Sequence, residues 1–205
     1  MLRQFKLQGN VEGAIRSDEG MENIDKEIAD NTFKMQKKKF DTFLNDKGFV
    51  KYKTNSYLRR NKIEVLEYIS LQKERYGSRT FTVNYALISL YVPHPFLSFD
   101  LGDRLGELIS GKDVWWDYSD EQIAAKSFQN VMDAIDLYLL PWFDQRETNE
   151  MIKKELLKEK KKREGYGGGL SDIQQSWLEA IDSKDDFTEI INANIATFKL
   201  PKKLQ

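Results

Sequence analysis

Residues 62–91, KIEVLEYISLQKERYGSRTFTVNYALISLY, decide the fold. In the first half, Ile63, Val65, Ile69 and Leu71 share one parity, with Glu67 as the exception. In the second, Phe81, Val83, Tyr85, Leu87 and Tyr91 point one way and Thr82, Asn84 and Ala86 the other. Side chains that alternate with a period of two are the mark of a strand with one buried face. The link Glu74-Arg75-Tyr76-Gly77-Ser78 is short and contains a glycine. The two strands, 62–74 and 79–91, are therefore expected to form an antiparallel hairpin.

Upstream, residues 49–60 read as another strand, bent near Thr54-Asn55-Ser56. Before it, Ile24, Ile28, Phe33, Phe40, Phe43 and Leu44 recur at helical spacing over 22–46, and Gly48 suits a left-handed cap. Downstream, VPHPFLSFDLGDRLGELISGKDVWWDY (92–118) holds two prolines and three glycines. It reads as irregular, with room for a fourth strand or a short helix. Ser119 with Gln122 and Ser171 with Gln174 have capping-box spacing. The first opens a helix over 120–140 with a buried stripe of Ile123, Phe128, Val131, Ile135, Tyr138 and Leu139, which Pro141 ends or kinks. A charged helix over 147–163, a helix to about 182 and a last one from Ser183 complete the chain. The expected class is α+β: a three- to four-stranded antiparallel sheet packed against amphipathic helices, with a helical C-terminal tail. Residues 1–20 read as a loosely ordered extension, 21–145 as the α+β domain and 146–205 as a helical extension on or beside it.

Composition narrows the function. Basic and acidic residues number 32 and 33, so no basic field favours nucleic acid. With no cysteine and one histidine, thiolate chemistry is impossible and a zinc site is not expected. No stretch approaches the roughly 20 apolar residues of a membrane span, and no secretory leader is evident. The expectation is a cytoplasmic protein with no membrane contact, no cofactor and no metal.

Local motifs point to no reaction. His94, between Pro93 and Pro95, reads as a loop histidine in a rigid turn. Asp100, Asp103 and Glu107 lack the spacing of a calcium loop. Gly165–Gly169 reads as a linker, because no Gly-Lys-Ser/Thr follows. In the basic run 153–163, Glu155 and Glu159 stand at helical spacing from Lys158, Lys162 and Arg163, which reads as a self-paired solvated helix.

Two features suit binding. Trp115 and Trp116 are adjacent, so in an extended segment one faces the core and the other a groove, and tryptophan is favoured at binding hot spots. The polar side of the hairpin carries Tyr68, Gln72 and Asn84, with Arg60 near in the preceding strand and Asp103 and Arg104 in the irregular centre. These eight residues are the candidate binding set; none is assigned a catalytic role.

Several words of the sequence are familiar: Gly48-Phe49, Tyr57-Leu58-Arg59-Arg60, Ile69-Ser70-Leu71-Gln72-Lys73, Phe81-Thr82-Val83-Asn84 and Gly111-Lys112-Asp113-Val114-Trp115-Trp116. Together, over residues 22–145, they resemble the bacterial family known as domain of unknown function 4304. The resemblance implies a small helix–sheet domain and transfers no activity. Related small bacterial domains often stand as immunity proteins beside toxins. The sequence thus favours a non-catalytic module that binds another protein, of which toxin neutralisation is one form. The alternative is a small-ligand binder or enzyme with a pocket on the polar sheet face, and the sequence does not decide whether the chain is an enzyme.

Overall fold

The hairpin read from residues 62–91 forms the middle of the sheet. The computed structural model describes the backbone of residues 12–205 and the side chains of residues 26–205. Strand β3 (Val65–Lys73) pairs antiparallel with β4 (Thr80–Ser89), in a register that sets Ile69 opposite Tyr85 and Leu71 opposite Val83. The expected strand 49–60 is two strands, β1 (Val50–Lys53) and β2 (Ser56–Arg60), folded back on each other at Thr54-Asn55. The bend foreseen there is a hairpin turn. The centre adds two more, β5 (Leu101–Arg104) and β6 (Trp116–Asp117). The order is β1-β2-β3-β4-β5, with β6 on the same edge of β4 as β5. The sheet therefore has five to six strands rather than three to four. Strands of four and two residues are too short to display a period, so β5 and β6 are invisible to alternation.

Helix α1 (Glu12–Asp46) precedes the sheet. Of residues 1–20, read as a loose extension, 1–11 lie outside the described residues. Gly48 closes α1 at φ +85°, and the Phe49 amide returns to the Leu44 carbonyl at 3.0 Å. Between β5 and β6 lies α2 (Leu105–Ser110), and after β6 comes α3 (Glu121–Ala134). Its cap is Asp120, not the expected Ser119: the Asp120 carboxylate accepts from the Ile123 amide at 2.8 Å. Then follow α4 (Leu140–Asp144), α5 (Asn149–Glu164), α6 (Asp172–Asp182) and α7 (Thr188–Phe198). The Ser171/Gln174 capping box at α6 is formed in both directions. On α5, Glu155 pairs with Lys158 and Glu159 with Arg163.

Between α3 and α4, Ile135–Leu139 form a π-helical turn. The Leu140 amide donates to the Ile135 carbonyl five residues back. Pro141 has no N–H to give the carbonyl of Leu137, so an ordinary α-turn there would leave that acceptor unmade. The extra residue in the turn shifts the inward line to Val131, Ile135, Leu139 and Phe143, all fully buried. Tyr138, expected in the stripe, is turned outward and is 45% exposed.

The sheet has two covered faces. On the core face, Val65, Ile69, Leu71, Phe81, Val83 and Leu87 meet α1 (Ala29, Phe33, Phe40, Leu44), α3 (Phe128, Val131), α5 (Ile152, Leu156) and Trp177 of α6. Glu67, the exception to the alternation, is buried there and pairs with Arg59 directly across β2. Burial pushes the Glu67 carboxyl up, and Arg59 partly offsets that. On the outer face, Leu58, Leu66, Tyr68, Ala86, Ile88 and Leu90 form a second cluster with Phe198, Leu200 and Leu204 from the C-terminal tail. The tail covers one end of this face. That double covering explains why every residue from Val65 to Leu71 is buried, Glu67 and Ser70 included, although successive side chains point to opposite faces.

Candidate functional site

The end of the outer face away from the tail brings together most of the polar candidates. Strand register places Ser56, Ser70, Asn84 and Arg104 in one row, with Tyr68 one step to one side and Gln72 one step to the other. The Asn84 amide donates to the Gln72 carbonyl oxygen at 3.1 Å. Arg104 pairs with Asp113, and its guanidinium lies 5.2 Å from the centre of the Trp115 ring. Trp115 Nε1 donates to the same Asp113 carboxylate at 3.0 Å. The Thr82 hydroxyl donates to the Val114 carbonyl at 2.9 Å, fixing the loop that carries Trp115 against β4. Gly102 permits the close approach of β5: a Cβ there would stand 2.1 Å from the Tyr85 carbonyl oxygen.

Three of the eight candidates lie elsewhere. Trp116 pairs with Phe81 and is buried on the core face, as adjacency to Trp115 requires. Asp103 stands opposite Tyr85 on that same face, and burial, with the Asp103 charge beside it, pushes the Tyr85 hydroxyl up to about 12. Arg60 is on the outer face, four residues along the strand from the Asn84 row, or about 13 Å at the rise of a β-strand. It holds the tail: its guanidinium binds Glu64 and donates to the carbonyls of Leu204 (2.9 Å) and Gln205 (2.6 Å).

Sequence reading missed the aromatic half of the site. Residues 93–100 form a loop that carries Phe96 (66% exposed) and Phe99 (52% exposed) over the outer face. Phe99 packs on Tyr68 at 4.7 Å between ring centres, and the Tyr68 hydroxyl meets Ser56 Oγ at 3.0 Å. Tyr52, Tyr68, Phe96, Phe99 and Phe198 line a cavity of about 420 Å³. The Pro-Phe-Leu-Ser-Phe word at 95–99 was the available signal, hidden by the prolines that marked the stretch as irregular.

This loop is stapled at its base. His94 and Asp100 are both buried, the Asp100 carboxylate accepts from the Ser89 amide at 2.9 Å, and His94 Nε2 lies 3.0 Å from the Ser89 carbonyl. A carbonyl only accepts, so Nε2 carries a proton and leans also toward Asp100 Oδ2 at 3.3 Å. Burial pushes the Asp100 carboxyl up while His94 and the Ser89 amide hold it down. Asn194 of α7 completes the staple, donating to the carbonyls of Leu90 (2.8 Å) and Val92 (2.7 Å) and accepting from the His94 amide at 3.1 Å. From α6, Gln174 donates to the Asp100 carbonyl at 2.7 Å. His94 thus departs from the simple turn histidine expected of it.

Ser98 Oγ lies 3.3 Å from His94 Nδ1, so Ser98, His94 and Asp100 follow the order of a hydrolase triad. The imidazole and carboxylate have no exposed surface, and the neighbouring cavity is lined by Pro95, Phe96, Leu97 and Phe99 rather than Ser98. The arrangement ties Ser98 and the loop to its buried base. No group of three or more His, Cys, Asp or Glu residues suited to a metal ion occurs among the described residues. Nor, among them, is any helix long and apolar enough to cross a membrane.

A helix-flanked antiparallel sheet with an aromatic and polar patch at one end is the architecture of a small α+β domain with a preformed surface. The chain belongs to the family described as Domain of unknown function (DUF4304), which it matches over residues 40–145, just over half its length. The match begins in the second half of α1 and ends after α4, leaving α5, α6 and α7 outside it. No curated protein and no solved structure gave a match.

Proposed function

We propose that the protein is a non-catalytic binding module for another polypeptide, and that the patch of Tyr68, Phe96, Phe99, Gln72, Asn84, Arg104 and Trp115 is its contact surface. One observation carries this reading. Exposed Phe96 and Phe99 stand on a loop clamped at both ends by buried hydrogen bonds, beside a strip of hydrogen-bonding side chains on rigid strands. Rigid aromatic anchors cost little entropy to immobilise, and aromatics with arginine dominate binding energy at protein interfaces. Nucleic acid is disfavoured because Arg104 is neutralised by Asp113 and Arg60 by Glu64.

The cavity beside the loop supports a second reading. Its volume of about 420 Å³ falls in the range of small-molecule sites, roughly 300–1,000 Å³. The two readings separate on variants. Phe96→Ala and Trp115→Ala are each expected to weaken capture of a salt-resistant protein partner about 30-fold, the equivalent of a 2 kcal/mol hot spot. A partner retained in full by both variants would rule out this surface. Stabilisation of the protein by a small apolar ligand, lost in Phe99→Ala, would favour the second reading.

A further inference from the structure

The C-terminal tail sits on the outer face as a bound peptide would. After α7 the chain turns at Lys199, and Phe198, Leu200 and Leu204 enter the cluster of Leu58, Leu66, Ala86, Ile88 and Leu90. All three anchors are buried, while Lys199, Lys202 and Lys203 face water. Side chains of the sheet hold the tail's backbone. The Tyr52 hydroxyl donates to the Phe198 carbonyl at 2.7 Å, and the Arg60 guanidinium to those of Leu204 and Gln205. Among the described residues, no backbone group of 199–205 pairs with a strand. Spaced apolar anchors together with hydrogen bonds to the main chain are the means by which a domain reads a peptide.

Two observations separate the groove from what fills it. Its residues, from Tyr52 to Leu90, lie inside the family match of 40–145, whereas the tail lies outside it. The second is backbone conformation. Among the described residues, three other than glycine have a positive φ: Glu64, Arg79 and Lys199. Two of them flank this contact. Lys199, at φ +54°, begins the tail, and Glu64, at φ +61°, presents its carboxylate to Arg60. Side chains disfavour that region, and residues held in it gather at ligand clamps and switches.

We propose that this end of the outer face is a peptide groove held shut by the chain's own tail, and that it takes a segment of another protein bearing the tail's anchors. The segment is defined by that spacing: an aromatic, a leucine two residues on and a second leucine four further. It enters by displacing the tail, which pivots at Lys199. The tether gives the tail an effective concentration on the order of millimolar, so the groove opens only to a tight or locally concentrated partner.

The probe for the test is a fluorescein-labelled peptide of the tail sequence, ATFKLPKKLQ (196–205), titrated into the full-length protein. Leu200→Ser with Leu204→Ser, made in the full chain, frees the groove. This variant should bind the probe at least tenfold tighter than wild type does, and adding Arg60→Ala should remove the gain. A probe with its second leucine moved by one residue should bind tenfold more weakly. Trp115→Ala should bind the probe as wild type does, which keeps the outcome separate from the sheet-end surface. A measurement on the wild type requires no variant to fold: millimolar probe should speed hydrogen exchange of the chain's own residues 199–205 at least fivefold, the label separating the two by mass. Equal binding by wild type and the freed variant, indifference to leucine spacing, or unchanged exchange of the tail would overturn the inference. So would wild-type dimers that Leu204→Ser dissolves, because the groove would then be filled by the tail of a second copy.

Discussion

Asn194 is the residue whose removal should tell most about how the aromatic loop is held. It is 2% exposed and satisfies three backbone groups of the 90–94 segment: the carbonyls of Leu90 and Val92 and the amide of His94. Asn194→Ala leaves all three without their partner in a site nearly closed to water. At about 1 kcal/mol for each lost bond, the cost is about 3 kcal/mol. For a chain of this length that corresponds to a fall in melting temperature of roughly 6–12 °C. Asn194→Asp keeps the acceptor for the His94 amide but sets a carboxylate against two carbonyl oxygens, so it should cost more than alanine. Urea unfolding gives the two free energies, and hydrogen exchange at the His94 amide reports the loop directly. A cost below 1 kcal/mol for alanine, or an unchanged exchange rate at His94, would refute the staple.

Two further perturbations test the charged parts of the fold. Burial tends to raise the Asp41 carboxyl, but hydrogen bonds from Lys37, Tyr57 and Lys51 outweigh it and hold the group below its usual range. That stabilisation is present above about pH 4 and is lost as pH falls through the lowered value. Asp41→Asn should therefore cost about 2 kcal/mol at pH 7, with the difference from wild type vanishing toward pH 2 in parallel denaturation curves. Arg59→Met leaves the buried Glu67 unpaired and should cost about 3 kcal/mol at pH 7. Because burial raises Glu67, the loss should shrink as pH falls and the carboxyl takes up its proton, and grow as pH rises. Arg59→Met with Glu67→Leu should recover most of it, as shown by the same curves.

The central hairpin was legible because β3 and β4 are long enough to show alternation and because one face is plainly apolar. Even Glu67 could be recognised as an exception, though its partner Arg59 could not. What the pattern hid was the second covering. Tyr68, Ser70 and Thr82 look like a solvated face, yet the tail, the aromatic loop and the 112–115 loop bury them. Arg60 read as a site residue because its partners, the carbonyls of Leu204 and Gln205, lie far along the chain. Six of the eight candidates do share the outer face, five of them at one end, and Trp115 and Trp116 divide between faces as neighbours in an extended segment must. The π turn escaped because helical periodicity assumes a fixed rise, and one extra residue moves Tyr138 from core to surface.

The most direct test of the proposed contact surface is hydrogen exchange on the protein alone and in complex with a co-purified, salt-resistant partner. The account predicts new protection in residues 93–100, in 112–115 and at the Gln72 and Asn84 ends of β3 and β4. Protection confined to other segments, with those four regions exchanging as in the free protein, would contradict it.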